Sequence, residues 1–342
     1  MGKLTKIVTM PKYNYNAHIP VLLDEIEQYW IMDGFKNIRY GEKHNDTTNT
    51  KINFFDGTFG GGGYSKRLLE YAQSTGKLSQ LNLIVADLDK NAIENLDPIF
   101  KTAEFKDKIS FLNDNFCDAI KSFPDNFFSG IVLDLGFSSN QLEIGNIGLS
   151  YLQEDQNLDL RYDLNSGKPA WEILQGIKNE KDIVNIIYRG SGESFSSKIG
   201  KKLFLFLQKN PVPITTTQLK ELISSVIPVK FQHKKNSIFS RVWQSLRIWV
   251  NRELEILEQF MDIAGEKLAP GGVLTIVTFH SLEDKIVAGK MRKLCRPVEI
   301  DDFGNKNQCF EIITKKPVKP SSKEILINNR SRSSLLRSIA KK

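Results

Sequence analysis

Continuous apolar runs alternate with amphipathic, helix-like segments along much of the chain. A run without polar alternation is typical of a strand buried on both faces, and intervening helices predict that such strands are parallel. The five predicted strands are 52–55, 83–86, 109–112, 130–133 and 273–279. This pattern predicts an α/β fold with a parallel sheet covered on both faces.

A mostly helical stretch interrupts the alternation between the fourth and fifth strands. Threonines precede a predicted helix at 218–226, and a long amphipathic stretch at 242–267 leads back to the sheet. We therefore predict one discontinuous domain, formed by 1–144 and 236–342, around the sheet. Residues 145–235 are predicted to form an inserted helical domain that contacts the substrate.

Local signals predict where further elements begin and end. A helix is expected at 18–26, with Pro20 in its first turn, and another at 65–72. Residues 90–93 are expected to open a further helix, and the Pro-Gly-Gly sequence at 270–272 predicts a turn before the fifth strand.

Composition is ordinary for a globular chain, but the charge is unevenly distributed. The 342 residues carry 47 Lys and Arg against 40 Asp and Glu, a net charge of +7. Residues 189–252 hold twelve basic residues and two Glu, and residues 315–342 hold nine and one, which leaves −11 for the rest. An acidic core with two basic segments suits a protein that contacts a nucleic-acid backbone; the alternative is solvated basic helices.

Several classes of protein are not indicated. No apolar stretch is long enough to predict a membrane span, and the first residues do not form a secretory signal. The three cysteines (Cys117, Cys295 and Cys309) lack Cys-x-x-Cys spacing, and only four histidines are present. Neither a disulfide framework nor a metal centre is therefore predicted, and a reducing compartment is expected.

Acidic and glycine residues cluster where the predicted strands end. The sequence Asp-Gly-Thr at 56–58 and four glycines at 60–63 follow the first strand. Asp87, Phe116 and Asp134 follow the second, third and fourth strands. Because open α/β sheets bind ligands at the carboxyl ends of their strands, these residues predict one ligand site.

The glycine loop limits the choice of nucleotide cofactor. The dinucleotide pattern Gly-x-Gly-x-x-Gly fails, since a match beginning at Gly61 ends on Lys66, and no Gly-Lys-Ser/Thr phosphate loop occurs. An acidic residue before the loop would repel a pyrophosphate but suits the cationic end of S-adenosylmethionine. The alternative is that the glycines form only a tight turn and the aspartates only cap helices.

Several sequence blocks, in order, resemble the bacterial-type 16S ribosomal RNA cytosine-N4 methyltransferases, the MraW-like family. The resemblance implies a Rossmann-like S-adenosylmethionine-dependent methyltransferase sheet, small-subunit ribosomal RNA as partner, and a decoding-centre cytidine as target. The blocks are His-Ile-Pro-Val-Leu-Leu-Asp-Glu at 18–25, Asp-Gly-Thr-Phe-Gly at 56–60, Leu-Asp-Leu-Gly-Phe-Ser-Ser at 133–139, Leu-Asp-Leu-Arg at 158–161, Phe-His-Ser-Leu-Glu-Asp at 279–284 and the tail at 328–337.

The resemblance also implies a set of site residues. Carried over by motif, the cofactor-binding residues are Gly62, Gly63, Tyr64, Asp87, Phe116, Asp134 and Gln141. Tyr64 stands where the family usually has histidine, but it keeps an aromatic ring and one hydrogen-bonding group, so binding is expected to survive. The Gly-Glu-Glu of the family is Gly-Glu-Ser at 192–194, which weakens a role for a second carboxylate there.

Asp134 is the predicted catalytic residue. A cytosine N4 amine is a poor nucleophile, and Asp134 would accept a hydrogen bond from it during transfer. The alternative is that Asp134 is a cofactor ligand only. His280 either faces the site or serves a structural hydrogen bond, and Glu283 and Asp284 are interpreted as helix-start charges.

Other residues leave two interpretations open. The apolar stripe at 242–260 with Met291 suits either a homodimer interface or ordinary packing of a helix on the sheet. Three aromatic residues suit either base stacking or the core: Tyr151, Trp243 and Trp249. Three arginines suit either RNA contact or loop fixation: Arg161, Arg241 and Arg247.

Two other functions compete with the main prediction. One is a non-catalytic RNA-binding ribosome-assembly factor that keeps the methyltransferase fold. The other is a DNA amino methyltransferase, but those enzymes usually carry Pro-Pro-Tyr/Trp after the strand-four acid, and here Asp134 precedes Leu-Gly-Phe-Ser-Ser. The predicted location is a bacterial cytoplasm, with an organelle matrix as the alternative.

Overall fold

The computed structural model describes residues 19–36, 51–89, 92, 101–136, 147–210, 213–297, 299–300 and 306–342. Within this part of the chain, seven strands form one sheet and two short strands form a separate ribbon. The strands are β1 (Ile52–Asp56), β2 (Leu81–Ala86), β3 (Ile109–Leu112), β4 (Phe128–Asp134), β5 (Leu268–Thr278), β6 (Glu299–Ile300), β7 (Lys306–Asn307), β8 (Phe310–Ile312) and β9 (Leu335–Lys341).

The order of strands across the sheet is β3-β2-β1-β4-β5-β9-β8. Strands β1 to β5 are parallel, and β9 is antiparallel to both of its neighbours. Strands β2 and β3 are added on one side of β1, and β4 and β5 are added on the other side of β1. This reversal opens a crevice at the carboxyl ends of β1 and β4, where open α/β sheets bind ligands. The predicted α/β fold with a parallel sheet is therefore confirmed.

Helices cover both faces of the sheet, which explains why its strands are apolar without alternation. Consecutive side chains of β1 point to opposite faces, and both Phe54 and Phe55 are fully buried. Phe54 packs edge-on against Trp30, while Phe55 packs against Phe128 on the other face. The covering helices are α1 (Leu23–Ile26), α2 (Asp33–Lys36), α3 (Gly63–Ser74), α4 (Ala103–Lys106) and α5 (Phe116–Lys121), with a π-helical segment (Glu27–Met32) joining α1 to α2.

A helical unit lies between β4 and β5 in the chain and has its own core. Its members include Ile187, Leu203, Leu219 and Trp243, each buried. The helices are α6 (Ala170–Gly176), α7 (Glu180–Ser191), α8 (Ser196–Lys209), α9 (Thr216–Val226), a 3-10 helix (Val229–Lys234) and α10 (Lys235–Asn251). The apolar face of α10 completes this core, so the helix packs with the unit that precedes it.

The remaining helices follow α10 and return the chain to the sheet. They are α11 (Glu253–Lys267), α12 (Ser281–Leu294), α13 (Ser322–Ile327) and a 3-10 helix (Asn329–Ser333). The predicted continuous stretch at 242–267 is two helices, because Arg252 has a left-handed φ of 52° that ends α10 and begins α11.

Two further expectations are wrong in detail. Residues 270–272 do not form a turn before β5. They form an irregularity inside it, where the register passes from Phe128↔Leu268 to Gly130↔Val273. The predicted helix at 18–26 begins only at Leu23, so Pro20 precedes the helix instead of lying in its first turn.

Other predictions on local structure can also be placed. The helix predicted at 218–226 is confirmed as α9, with a capping box between Thr215 and Gln218. The helix predicted at 65–72 is confirmed as the centre of α3. The helix opening predicted at 90–93 falls largely outside the described residues.

The apolar stripe considered for a homodimer is buried within the chain itself. Val242, Leu246, Phe260 and Met291 are each at most 4% exposed. Ordinary packing of helices explains these residues, and the homodimer stays a prediction. No helix in the parts of the chain that the structure describes has the length and apolar character needed to cross a membrane.

Candidate active site

A cavity of about 460 Å³ lies in the crevice at the carboxyl ends of the parallel strands. One wall consists of the strand ends and the loops that follow them. It includes Asp56, Gly60, Asp87, Phe116 and Asp134. A second wall comes from the helical unit, the start of α11 and the segment that follows β5. It includes Tyr162, Arg247, Glu253, His280 and Glu283.

The glycine loop runs from β1 into α3 along the first wall. Gly60 and Gly62 have φ values of 51° and 72°, which glycine adopts without steric cost. A Cβ atom at Gly63 would overlap the ring of Pro20, so glycine allows the segment before α1 to lie directly on the loop. Gly63 contributes to the cavity wall, whereas Gly62 shapes the loop behind it.

Asp87 closes the loop from the neighbouring strand. Its carboxylate accepts hydrogen bonds from the backbone N–H groups of Gly60 (2.7 Å) and Asp89 (2.8 Å). Burial raises the pKa of Asp87, and those two N–H groups partly counteract the shift. The side chain therefore holds the glycine loop in place while facing the cavity.

Asp56 is a buried carboxyl group at the end of β1. Its oxygens accept hydrogen bonds from the Ser65 hydroxyl (2.7 Å) and from the backbone N–H of Thr58 (3.3 Å). Burial raises the pKa of Asp56 to about 6, against the lowering effect of these hydrogen bonds, and the negative charge of Asp87 adds to the rise. A cation in the cavity would favour the ionised form.

Tyr64 links the first turn of α3 to the segment before α1. Its buried hydroxyl donates a hydrogen bond to the carbonyl oxygen of Val21 at 2.5 Å. Burial, with the nearby charge of Asp134, raises the pKa of Tyr64 well above its usual value. The hydroxyl is thus a neutral donor that ties the chain across the cavity.

Asp134 ends β4 and lines the cavity. Its backbone N–H donates a hydrogen bond to the Thr58 hydroxyl (2.6 Å). Its Oδ1 atom is buried and has no hydrogen-bond partner among the residues that the structure describes. Burial raises the pKa of Asp134 well above its usual value, the charges of Asp56 and Glu283 raise it further, and the nearby Tyr64 hydroxyl partly counteracts the rise. An unpartnered buried acceptor is costly, so it marks a position for a ligand.

Phe116 begins α5 and offers an aromatic surface at the cavity. It packs edge-on against Phe260, with ring centroids 5.2 Å apart. Asn115 caps the helix by accepting hydrogen bonds from the backbone N–H groups of Cys117 and Asp118. The ring is thereby held where a flat group could stack on it.

The second wall contains a largely buried ion pair, whose side chains are 11% and 13% exposed. Arg247 makes two hydrogen bonds to Glu253, at 2.9 and 3.1 Å, and the Tyr162 hydroxyl donates a third to the same carboxylate (3.0 Å). Burial lowers the pKa of Arg247, but the carboxylate of Glu253 outweighs it, so the net pKa is raised. Asn251 fixes this wall by accepting from the Tyr162 N–H and donating to the Leu160 carbonyl, each at 2.8 Å.

His280 and Glu283 form a capping box at the start of α12. The Nδ1 atom of His280 accepts a hydrogen bond from the Glu283 N–H (3.4 Å), and the Glu283 carboxylate accepts from the N–H groups of Phe279 (2.8 Å) and His280 (3.2 Å). Burial raises the pKa of Glu283, but the adjacent His280 side chain, the N–H of Phe279 and the charge of Arg247 outweigh it and lower the pKa overall.

Ligand atoms of Glu253, His280 and Glu283 lie within 4.8 Å of one another, a spacing that could suit a metal ion. Glu253 is already paired with Arg247, and Nδ1 of His280 already caps a helix, so the hydrogen bonds of these two residues hold them in place without a metal. The absence of a metal stays a prediction.

The comparisons with known proteins identify the family. The model of the MraW methylase family matches residues 15–342. The chain belongs to the MraW methylase family. Proteins named ribosomal RNA small subunit methyltransferase H are among its relatives. One from Prochlorococcus marinus (strain MIT 9301) is 37% identical over 293 residues, covering 84% of this chain and 88% of that protein. One from Ehrlichia canis (strain Jake) is 34% identical over 328 residues, covering 95% and 99%.

This membership confirms the prediction of an S-adenosylmethionine-dependent methyltransferase. The residues present fit that cofactor on physical grounds. Asp56, Asp87 and Asp134 make one side of the cavity acidic, which suits a sulfonium and an ammonium group, and the glycine loop lets the backbone approach closely.

The structure places most predicted site residues of this methylase together. Gly62, Gly63 and Tyr64 form one end of the loop described above, and Gln141 lies outside the described residues. Sequence reasoning gave Glu283 only a helix-start role, whereas it is 3% exposed and lines the cavity. Tyr162 was missed because an isolated tyrosine after the Leu-Asp-Leu-Arg block carries no signal of its own.

The arginines considered for RNA contact each have an intramolecular role. Arg161 pairs with Asp159 and donates to carbonyls of its own loop, and Arg241 pairs with the fully buried Glu193. These contacts favour loop fixation. Trp243 is 3% exposed and donates to the Gly148 carbonyl, which places it in the core of the helical unit.

Proposed function

We propose that this methylase transfers a methyl group from S-adenosylmethionine to the N4 amine of a decoding-centre cytidine in 16S-type ribosomal RNA. The relatives named as small-subunit ribosomal RNA methyltransferases support the RNA class. The observation that supports an amine as the methyl acceptor is the Oδ1 atom of Asp134, which is buried, lines the cavity and has no hydrogen-bond partner among the described residues.

The proposed chemistry needs orientation more than a strong base. The N4 lone pair is delocalised into the ring, and Asp134 would hold the amine by a hydrogen bond as it pyramidalises. The cofactor supplies an electrophilic methyl group on a sulfonium that leaves as a thioether. Its positive charge would also keep Asp134 ionised, so the carboxylate can take the N4 proton that is lost after transfer.

Each proposed cofactor residue is assigned to the part of S-adenosylmethionine that its position at the glycine loop or strand end suits. The backbone at Gly62 and Gly63 and the side chain of Tyr64 would enclose the amino-acid end. Asp87 would accept hydrogen bonds from ribose hydroxyls, and Phe116 would stack on the adenine. Asp134 would approach the sulfonium, and Gln141 is retained from the family motif.

We assign the RNA contact to the basic face of the inserted helical unit. The lysines that supply this face are exposed: Lys198, Lys201, Lys202, Lys234 and Lys235. Replacing Lys201, Lys202, Lys234 and Lys235 with glutamate should weaken RNA binding and lower the slope of log affinity against log salt by about one per lost contact. An unchanged affinity would refute this surface. From this partner we propose a compartment that contains ribosomes: a bacterial cytoplasm, with an organelle matrix as the alternative.

The proposed reaction is tested by mass spectrometry of nucleosides from small-subunit RNA. Cells lacking the protein should lose N4-methylcytidine, and the wild-type gene should restore it. An Asp134→Asn gene should restore the protein but not the modification. Persistence of the modified nucleoside in the deletion would refute the reaction. Full rescue of growth by Asp134→Ala without methylation would favour the assembly factor, and tritium transfer to duplex DNA would favour the DNA methyltransferase.

A further inference from the structure

We infer that His280 is a specificity-determining residue that recognises the N3 atom of the target cytosine. This inference rests on the proposed function and deepens it, since it concerns how the same cavity selects its base. It depends on the tautomer of His280, on the absence of an aligned partner for its second nitrogen among the described residues, and on the position of Asp134 beside it.

The helix cap sets the tautomer of His280. Because Nδ1 accepts the N–H of Glu283, the proton of the neutral ring lies on Nε2. The Nε2 atom is buried in the cavity wall and has no aligned hydrogen-bond acceptor among the described residues. The Oε1 atom of Glu283 lies 3.2 Å from it but off the N–H direction, as an ion-pair neighbour. The cavity wall thus contains a buried N–H donor whose neighbouring carboxylate lies off its N–H direction, so the donor can still bond to an acceptor on a ligand.

The other polar groups of this wall already satisfy one another. Arg247 and Tyr162 both donate hydrogen bonds to Glu253, as described above. Among the described groups that line the cavity, the buried side-chain atoms left without an aligned partner are therefore Nε2 of His280 and Oδ1 of Asp134. One is a donor and the other an acceptor.

These two atoms lie at the ends of adjacent strands. Asp134 pairs in register with Val277, and His280 follows three residues after Val277. Both residues also neighbour Glu283, whose charge acts on Asp134 and whose carboxylate contacts His280. A ligand that spans the two needs a donor beside an acceptor.

Cytosine offers that pair in its N4 amine and its N3 lone pair, which are neighbours on one edge. Uracil offers the reverse, an acceptor at O4 and a donor at N3, so it would set donor against donor and acceptor against acceptor. Leaving buried polar groups mismatched in this way is strongly unfavourable. His280 therefore acts as a positioning and selecting residue beside Asp134.

The test is a double-mutant cycle that combines a change of the His280 side chain with a change of the N3 atom of the base. Small subunits are reconstituted with either cytidine or 3-deazacytidine at the target position, which replaces N3 by C–H. Wild-type protein and His280→Asn are compared, because asparagine keeps a helix cap but does not reach as far. The wild-type kcat/KM should fall about 10- to 100-fold on 3-deazacytidine, and the His280→Asn protein should show about the same low value on both substrates.

Two controls separate the outcomes. The Kd for S-adenosylmethionine should be unchanged in His280→Asn, which shows that the site is folded. Asn179→Ala, which removes the cap of α7, should keep the wild-type ratio between the two substrates. An equal loss on 3-deazacytidine in the wild-type and His280→Asn proteins would overturn the inference. No methylation of the cytidine subunits by wild-type protein would instead overturn the proposed function.

Discussion

The buried carboxyl group of Asp56 should destabilise the cofactor-free protein at neutral pH. Its pKa is about 6 in the folded state, against the ordinary value of 3.8 that applies to the unfolded chain. Because the folded state binds the proton more tightly, unfolding becomes easier as the pH rises through this window. The full effect is about 3 kcal/mol, of which about 1.6 kcal/mol is present at pH 5 and about 2.9 kcal/mol at pH 7.

The variant Asp56→Asn removes this titration while keeping a group that can bond to Ser65 or Thr58. Urea unfolding of the cofactor-free protein from pH 4.5 to pH 7.5 measures it. Between pH 5 and pH 7, wild type should lose about 1.3 kcal/mol relative to Asp56→Asn. The exposed Asp107→Asn variant is the matched control and should follow wild type across this range.

Saturating S-adenosylmethionine supplies a second readout. A cation beside Asp56 should reduce the extra pH dependence of wild type, because the ionised carboxylate then has a partner. Parallel stability curves for wild type and Asp56→Asn without cofactor would refute the assigned pKa. Curves that differ without cofactor and still differ equally with it would refute the contact between Asp56 and the cation.

Further predictions concern packing and charge at the same cavity. Gly63→Ala should raise the Kd for S-adenosylmethionine about tenfold in calorimetry, because the new Cβ displaces the segment before α1. Gly289→Ala is the control and should leave the Kd unchanged, because a Cβ there meets no described atom within 4 Å. Arg247→Ala should lower the free energy of unfolding by about 3 kcal/mol, because it leaves Glu253, whose side chain is only 13% exposed, without its cation. Arg252→Ala, which breaks an exposed ion pair, should lower it by less than about 1 kcal/mol, and equal losses in urea unfolding would contradict the reasoning.

Several parts of the fold follow from local sequence alone. Consecutive apolar residues such as Phe54 and Phe55 show that a strand is buried on both faces, whatever packs against it. Thr215 and Gln218 form a capping box because the bonds involved span only a few residues. Where tertiary contacts decide, the sequence is less informative. The break at Arg252 and the irregularity in β5 depend on packing that no local pattern reveals.

The candidate site divides in the same way. The strand-end carboxyl groups and the glycine loop could be predicted from sequence, because parallel strands bring their carboxyl ends to one edge. The second wall could not be predicted, since Tyr162 and Glu253 are 91 residues apart and meet only when the helical unit folds against the sheet. The charge states there depend on burial and on partners from distant segments. By itself, the sequence determined the sheet, the loop and the acids along it; only the tertiary structure decided which polar atoms remain without a partner.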